Sequence, residues 1–164
     1  MGLLQIALIL ATFLCSLVTG FLFAFAVVVM TGIRKLGNGE FIRAFQAMDS
    51  IIQNNQPIFI VVWLGSVVAL IGAAALGVGT LDATGRWVLM VSTFGYLVGV
   101  QLPTIIINVP LNNKLQSLNV DAMDEAAREA AREAFEGRWN RWNVVRTIVS
   151  CLVSLLLIGL VLRI

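Results

Sequence analysis

Four polar side chains recur at helical spacing within an otherwise apolar part of the sequence. They stand at positions i, i+3, i+7 and i+11 and would share one helical face: Gln101, Thr104, Asn108 and Asn112. Pro103 lies in the same segment, lacks a backbone N–H and leaves a carbonyl one turn earlier without its usual partner. Polar groups are costly to bury at membrane depth. This face therefore predicts either a polar pocket or hydrogen bonds between helices at a proline kink. The pattern does not favour one of these two over the other.

A second polar face precedes the last apolar stretch. Trp139, Asn143, Arg146 and Ser150 follow one another at heptad-like spacing, and Trp142 lies one turn from both Trp139 and Arg146. A guanidinium can bond two ligand oxygens or stack on an aromatic ring. The alternative is interfacial anchoring, with an arginine beside tryptophan at the headgroups. Because both polar faces flank the same loop, we expect them at the same side of the membrane. The site hypothesis is that four side chains converge on one cavity: Asn108, Asn112, Asn143 and Arg146.

A third group of polar residues lies just before the second long apolar stretch, where the run Gln53–Gln56 precedes Pro57. This run is typical of a segment that caps the next helix, with proline in the first helical turn. Asp49 is the acid of this region without an adjacent basic residue. A proton acceptor at Asp49 is therefore the alternative role for the segment.

Composition indicates the elements that must position these residues. Of the 164 residues, 59% are apolar and 12% are charged, against roughly 45–50% and 25% in soluble domains. Four stretches carry no charged side chain: 1–33, 50–81, 87–113 and 147–162. Without barrel-like alternation, such stretches can span a membrane only as helices. The sequence predicts an all-α, single transmembrane domain over 1–164, with spanning helices at about 3–31, 57–79, 87–109 and 144–162.

Basic residues predict the orientation of this bundle. The first and third loops hold most of the lysines and arginines, whereas the opposite side has only Arg86 and Arg163. The positive-inside rule then places both long loops in the cytoplasm and both termini outside. We expect an integral protein of a bacterial inner membrane. Four tryptophans near the predicted helix ends fit an aromatic belt: Trp63, Trp87, Trp139 and Trp142.

The third loop contains a segment of different composition, 121–136, which carries six acids and two arginines. A thin apolar stripe repeats at helical spacing along it: Met123, Ala127, Ala130 and Ala134. We expect a short cytoplasmic amphipathic helix capped by Gly137, between the third and fourth spans. A solvated helix across the mouth of the bundle is favoured over a partner-docking helix.

The same composition excludes several classes of function. Eleven basic against nine acidic residues give no basic face for nucleic acid. The chain has no histidine, which removes the commonest general base and the usual ligand of haem, zinc and non-haem iron. Cys15 and Cys151 lie in apolar stretches, where a thiol acts as a small hydrophobe.

Several motifs resemble the anthrone oxygenase-like family of small four-helix integral membrane proteins, long described as a domain of unknown function. The matching pieces, in order along the chain, are Gly20–Phe25 running to Met30, Ala47-Met48 with Asn55 and Pro57, Asn108–Asn112, and Trp139 with Trp142–Thr147. Two positions depart from the family pattern. Asp49 stands where members often have glutamine, and Val144 where they often have histidine.

The resemblance implies a cofactor-independent oxygenase that converts the methylene of a phenolic tricyclic ketone, such as an anthrone, to a quinone carbonyl. It implies Arg146 as the stabiliser of an enolate, with Asn108, Asn112 and Asn143 as further donors. Trp139 and Trp142 would stack on the rings, and Asp49 would act as base. No metal is implied.

Two other functions stay open on the sequence. One is a non-catalytic membrane subunit or assembly factor that holds a partner membrane protein or a second copy of the chain. The other is a carrier for a lipophilic molecule such as a quinone, which would use the same pocket without chemistry.

Overall fold

The computed structural model describes residues 2–163, which form five helices and no strand. Their bounds are α1 Leu3–Ile33, α2 Asn38–Gln53, α3 Pro57–Thr80, α4 Ala83–Gln116 and α5 Glu125–Arg163. A single 3-10 turn, Val120–Ala122, lies between α4 and α5. All but α2 are long and apolar enough to cross a membrane. The prediction of an all-α protein with four spanning helices is therefore confirmed, and membrane insertion follows from length and composition.

Local capping explains where the helices begin. Gln56 precedes Pro57 and accepts a hydrogen bond from the Phe59 amide at 2.7 Å, so it caps α3. Asp82 caps α4 by accepting from the Gly85 amide at 2.9 Å. The capping role predicted for the polar run before Pro57 is confirmed at Gln56.

The bundle packs around α1 and α5. α1 lies against α3 and α5, while α4 lies against α5 and against the end of α3 nearest the turn between them. Small residues permit close approach at some places and not at others. A Cβ on Gly99 of α4 would come within 2.7 Å of a Val149 methyl of α5, whereas one on Gly20 of α1 would meet nothing within 4 Å. Gly99 is thus an interhelical contact, and Gly20 is not.

Helix α2 replaces what the sequence predicted as a loop. Its charged and polar residues led to the prediction of a loop, but the helix also has an apolar face, which buries Phe41, Ile42 and Phe45. Phe45 packs edge-on against Phe135 at 4.6 Å and against Trp139 at 5.4 Å between ring centroids. Because this face needs α5 to cover it, the helix is stabilised by tertiary packing more than by its own propensity.

The predicted separate helix at 121–136 is wrong in two respects. α5 runs from 125 to 163 without a break at Gly137, and the alanines at 127, 130 and 134 are exposed. The face of this segment that packs against the protein instead carries Phe135, Arg128 and Arg132. Arg132 stacks on Phe41 at 4.4 Å and donates to the carbonyls of Arg34 and Leu36. A phenylalanine ring buries far more apolar area than an alanine methyl, so it determines which face packs.

Single-turn π-helical distortions interrupt two of the long helices. They occupy Phe25–Val29 in α1, and Leu97–Gln101 and Thr104–Asn108 in α4. The two in α4 flank Pro103, as expected where a proline removes a backbone donor. These distortions lie beside the cavity described next.

Candidate functional site

A cavity of about 590 Å³ lies among all five helices. Its size is within the roughly 300–1,000 Å³ typical of small-molecule sites. The walls are mostly aliphatic and aromatic, with Phe59 and Trp63 stacked at 5.3 Å between centroids on one side and Trp139 contributing to another. Such walls suit a flat, apolar ligand.

Arg146 of α5 lines this cavity and is 4% exposed. Its Nη1 donates to Thr104 Oγ1 and its Nη2 to Asn143 Oδ1, each at 2.9 Å. Its Cζ lies 5.9 Å from the Trp139 ring centroid. None of the five ion pairs among residues 2–163 includes Arg146. This burial is inconsistent with a side chain that reaches the headgroups, and it leaves a cation without a counter-ion at the cavity wall.

The guanidinium also retains hydrogen-bonding capacity. It carries five N–H groups, and two donate to protein atoms in the part of the chain that the structure describes. Its Nε has no partner there. An anionic oxygen in the cavity would supply the missing counter-charge and would accept from the N–H groups of Nη1 and Nη2 that Thr104 and Asn143 do not use.

Asp49 of α2 lines the same cavity and is 5% exposed. Asn112 Nδ2 donates to its Oδ1 at 2.8 Å, and Gln53 Nε2 donates to its Oδ2 at 2.5 Å. Trp139 Nε1 in turn donates to Asn112 Oδ1 at 2.7 Å. This series of hydrogen bonds holds the carboxyl group in place between α2, α4 and α5.

Burial raises the pKa of Asp49, and the hydrogen bonds from Gln53 and Asn112 oppose the rise because they favour the charged form. A raised pKa makes the ionised carboxylate a stronger proton acceptor. Asp49 is therefore equipped for proton transfer at the cavity wall.

Two amide side chains at the cavity each carry a polar atom without a hydrogen-bond partner among residues 2–163. Trp63 Nε1 donates to Gln101 Oε1 at 2.8 Å, which leaves Gln101 Nε2 unpaired. Asn108 Nδ2 donates to the Trp139 carbonyl at 3.4 Å, which leaves Asn108 Oδ1 unpaired. Both amide orientations are determined, because an indole N–H can only donate and a carbonyl can only accept.

The structure brings most of the predicted site residues to this one cavity. Six of them line it: Asp49, Asn108, Asn112, Trp139, Asn143 and Arg146. Trp142 does not line it, because its position on α5 turns it away from the cavity, and it is half-buried. Asn143 is held by donating to the Leu22 carbonyl at 3.2 Å. Within residues 2–163, no group of three acidic, histidine or cysteine side chains is placed to hold a metal ion.

Sequence reasoning missed some cavity residues. The sequence placed Trp63 in an aromatic belt and Gln53 in a capping segment, and it gave no role in the cavity to Phe21 or Phe25. The signal for Trp63 was its spacing of four residues from Phe59, which puts two aromatic rings on one face of α3. Nothing local showed that this face turns toward Gln101.

Comparisons with known proteins add one finding. The sequence profile of the anthrone oxygenase family matches residues 48–156 of this chain. Neither a curated protein nor a solved structure matches the chain. The matched range contains all six of the cavity residues named above, from Asp49 to Arg146.

Proposed function

This chain belongs to the anthrone oxygenase family, and on that premise we propose that it binds an anthrone in the cavity and oxidises its methylene carbon with molecular oxygen. The observation that carries the proposal is Arg146, a buried guanidinium without a counter-ion on the wall of an apolar cavity of about 590 Å³. An anthrone enolate is flat, aromatic and anionic, so it matches the walls and the charge together.

Asp49 would begin the reaction by removing one proton from the methylene carbon. The electron pair left on carbon delocalises to the ketone oxygen, which becomes an enolate oxygen hydrogen-bonded by Arg146. A fixed cation in a water-poor cavity stabilises that charge more strongly than water does. A phenolic hydroxyl beside the ketone would donate to Asn108 Oδ1, which has no protein partner among the described residues.

The enolate is electron-rich enough to pass one electron to oxygen, giving superoxide and a carbon radical that combine into a peroxide. The proton held by Asp49 returns to the peroxide, and the hydroperoxide loses water as the new carbonyl forms. One anthrone and one O₂ thus give one anthraquinone and one water. The role of the chain is to bind the substrate, remove the proton and stabilise the enolate.

Turnover of dithranol, a dihydroxylated anthrone, tests the proposal. Purified protein in lipid nanodiscs should consume oxygen and form danthron, the corresponding quinone, faster than protein-free nanodiscs, with one quinone formed per O₂. Labelled O₂ should place one labelled oxygen atom in the quinone. Tight binding of danthron without any turnover of dithranol would indicate a carrier and would exclude the oxygenase.

A further inference from the structure

The cavity has one polar border and one apolar border. On the polar side, hydrogen bonds tie α2 to α4 and to the turn after it. Gln53 Nε2 donates to Asn113 Oδ1 at 3.3 Å, and Asn112 Nδ2 donates to Asp49 Oδ1 at 2.8 Å. Gln46 Nε2 donates to backbone carbonyls just beyond them, at 2.9 and 3.0 Å. A molecule entering from this side would have to break these bonds.

The apolar border lies between α3 and α4. Three aliphatic side chains line the cavity and also face outward: Leu64 is 59% exposed, Ile105 64% and Val109 41%. α3 packs closely against α4 over residues 83–96, whereas along 97–116 the two backbones stand apart. Among the described residues, the hydrogen bond from Trp63 Nε1 to Gln101 Oε1 crosses this space, one turn from Ile105. The cavity is therefore open toward the hydrocarbon of the membrane, through a gap bordered by residues without polar groups.

We propose that the aromatic substrate enters the cavity sideways from the hydrocarbon core, through this gap between Leu64, Ile105 and Val109, which we name the lateral opening. The identity of the ligand rests on the proposed function. A neutral tricyclic aromatic is concentrated in lipid relative to water. The lateral opening offers it a path along which no hydrogen bond is broken and no polar group is desolvated.

Narrowing the opening should slow entry of the ligand into the cavity. We compare the double variant Leu64→Phe/Ile105→Phe with the matched control Val68→Phe/Ile106→Phe. The control positions lie on the same two helices and are 70% and 56% exposed, and they do not line the cavity. The readout is the association rate of danthron with protein in vesicles, measured by stopped-flow fluorescence. We expect association about ten-fold slower in the first variant and an unchanged association rate in the control.

Entry from water predicts the opposite pattern. The variant Asn113→Trp enlarges a side chain at the polar border, where Asn113 is exposed. Slower association in Asn113→Trp, with wild-type rates in Leu64→Phe/Ile105→Phe, would overturn the lateral opening.

A second measurement separates the opening from the proposed function, because it needs no recognised ligand. In a variant with Trp139 as the one tryptophan, bromobenzene partitioned into the vesicles should quench its fluorescence, whereas iodide in the water should not. Trp139 is 4% exposed and lines the cavity, so lipid-soluble quenchers reach it through the cavity. Leu64→Phe/Ile105→Phe should reduce the bromobenzene quenching at least about two-fold.

Failure of danthron to bind, together with this quenching pattern, would refute the proposed function alone. Stronger quenching by iodide, unaffected by the phenylalanines, would refute the opening alone.

Discussion

Replacing Arg146 with lysine keeps the positive charge and removes the planar fork. Arg146 uses Nη1 for Thr104 and Nη2 for Asn143, both at 2.9 Å, and still has N–H groups for a ligand. One ammonium nitrogen cannot occupy both ends of the fork and also reach a ligand oxygen. The Arg146→Lys variant therefore loses at least one charge-assisted hydrogen bond in the complex.

The magnitude follows from that count. A hydrogen bond to a charged group contributes about 1.5–3 kcal/mol, and about 1.4 kcal/mol corresponds to a factor of ten in affinity. Arg146→Lys should thus weaken danthron binding by about 10- to 100-fold. Because Arg146 is 4% exposed, solvent screening does not reduce this value much.

The assay is a fluorescence titration of danthron with protein in nanodiscs, accompanied by thermal unfolding to show that the variant is folded. Arg138→Lys is the matched control, since Arg138 lies two turns earlier on α5 and is exposed. It should bind danthron as wild type does. A folded Arg146→Lys variant with an affinity within about three-fold of wild type would refute the argument, because it would show that the planar fork of arginine is not needed for binding.

Further outcomes are expected at Asp49, at Gly99 and for the orientation of the bundle. Asp49→Asn should lower dithranol-dependent oxygen consumption to the protein-free background while danthron still binds. Because burial raises the pKa of Asp49, wild-type activity should rise with pH as the carboxyl ionises, with a midpoint above the usual value of about 3.9; a pH–rate profile without that limb would remove Asp49 as base. With a raised native pKa, the contribution of Asp49 to stability is fully present at low pH and is lost as pH rises through that pKa, so chemical unfolding should find the wild-type protein less stable above that pH than below it. Gly99→Ala, whose Cβ would meet a valine of α5 at 2.7 Å, should lose about 1–3 kcal/mol of stability; Gly20→Ala, with nothing within 4 Å, should lose none, and equal melting of the two variants would contradict the packing argument. For orientation, an impermeant thiol reagent added outside intact cells should label Thr84→Cys and not Lys35→Cys, both exposed positions, in a background without native cysteines; the reverse labelling would invert the proposed topology.

The four spanning helices could be predicted from the sequence, because an apolar stretch of spanning length has few stable structures in lipid other than a helix. The shared face of Trp139, Asn143 and Arg146 could be predicted as well, since 3.6 residues per turn determines which side chains of one helix lie together. Family membership could also be predicted from the motifs along the chain. These features depend on local order along a single segment.

The remaining features depend on how the helices meet. The sequence of α2 did not predict a helix. Its apolar face is covered by Phe135 and Trp139, which belong to α5 and lie far away in the sequence. The break expected at Gly137 is absent, and the side chains on either side of the glycine, Phe135 and Trp139, both pack against Phe45 of α2. The pairing of Asp49 with Asn112 joins residues 63 positions apart. Helical periodicity determines the face of each helix, but the rotation and crossing of neighbouring helices decide which faces enclose a cavity, and these are set by the packing of the whole bundle.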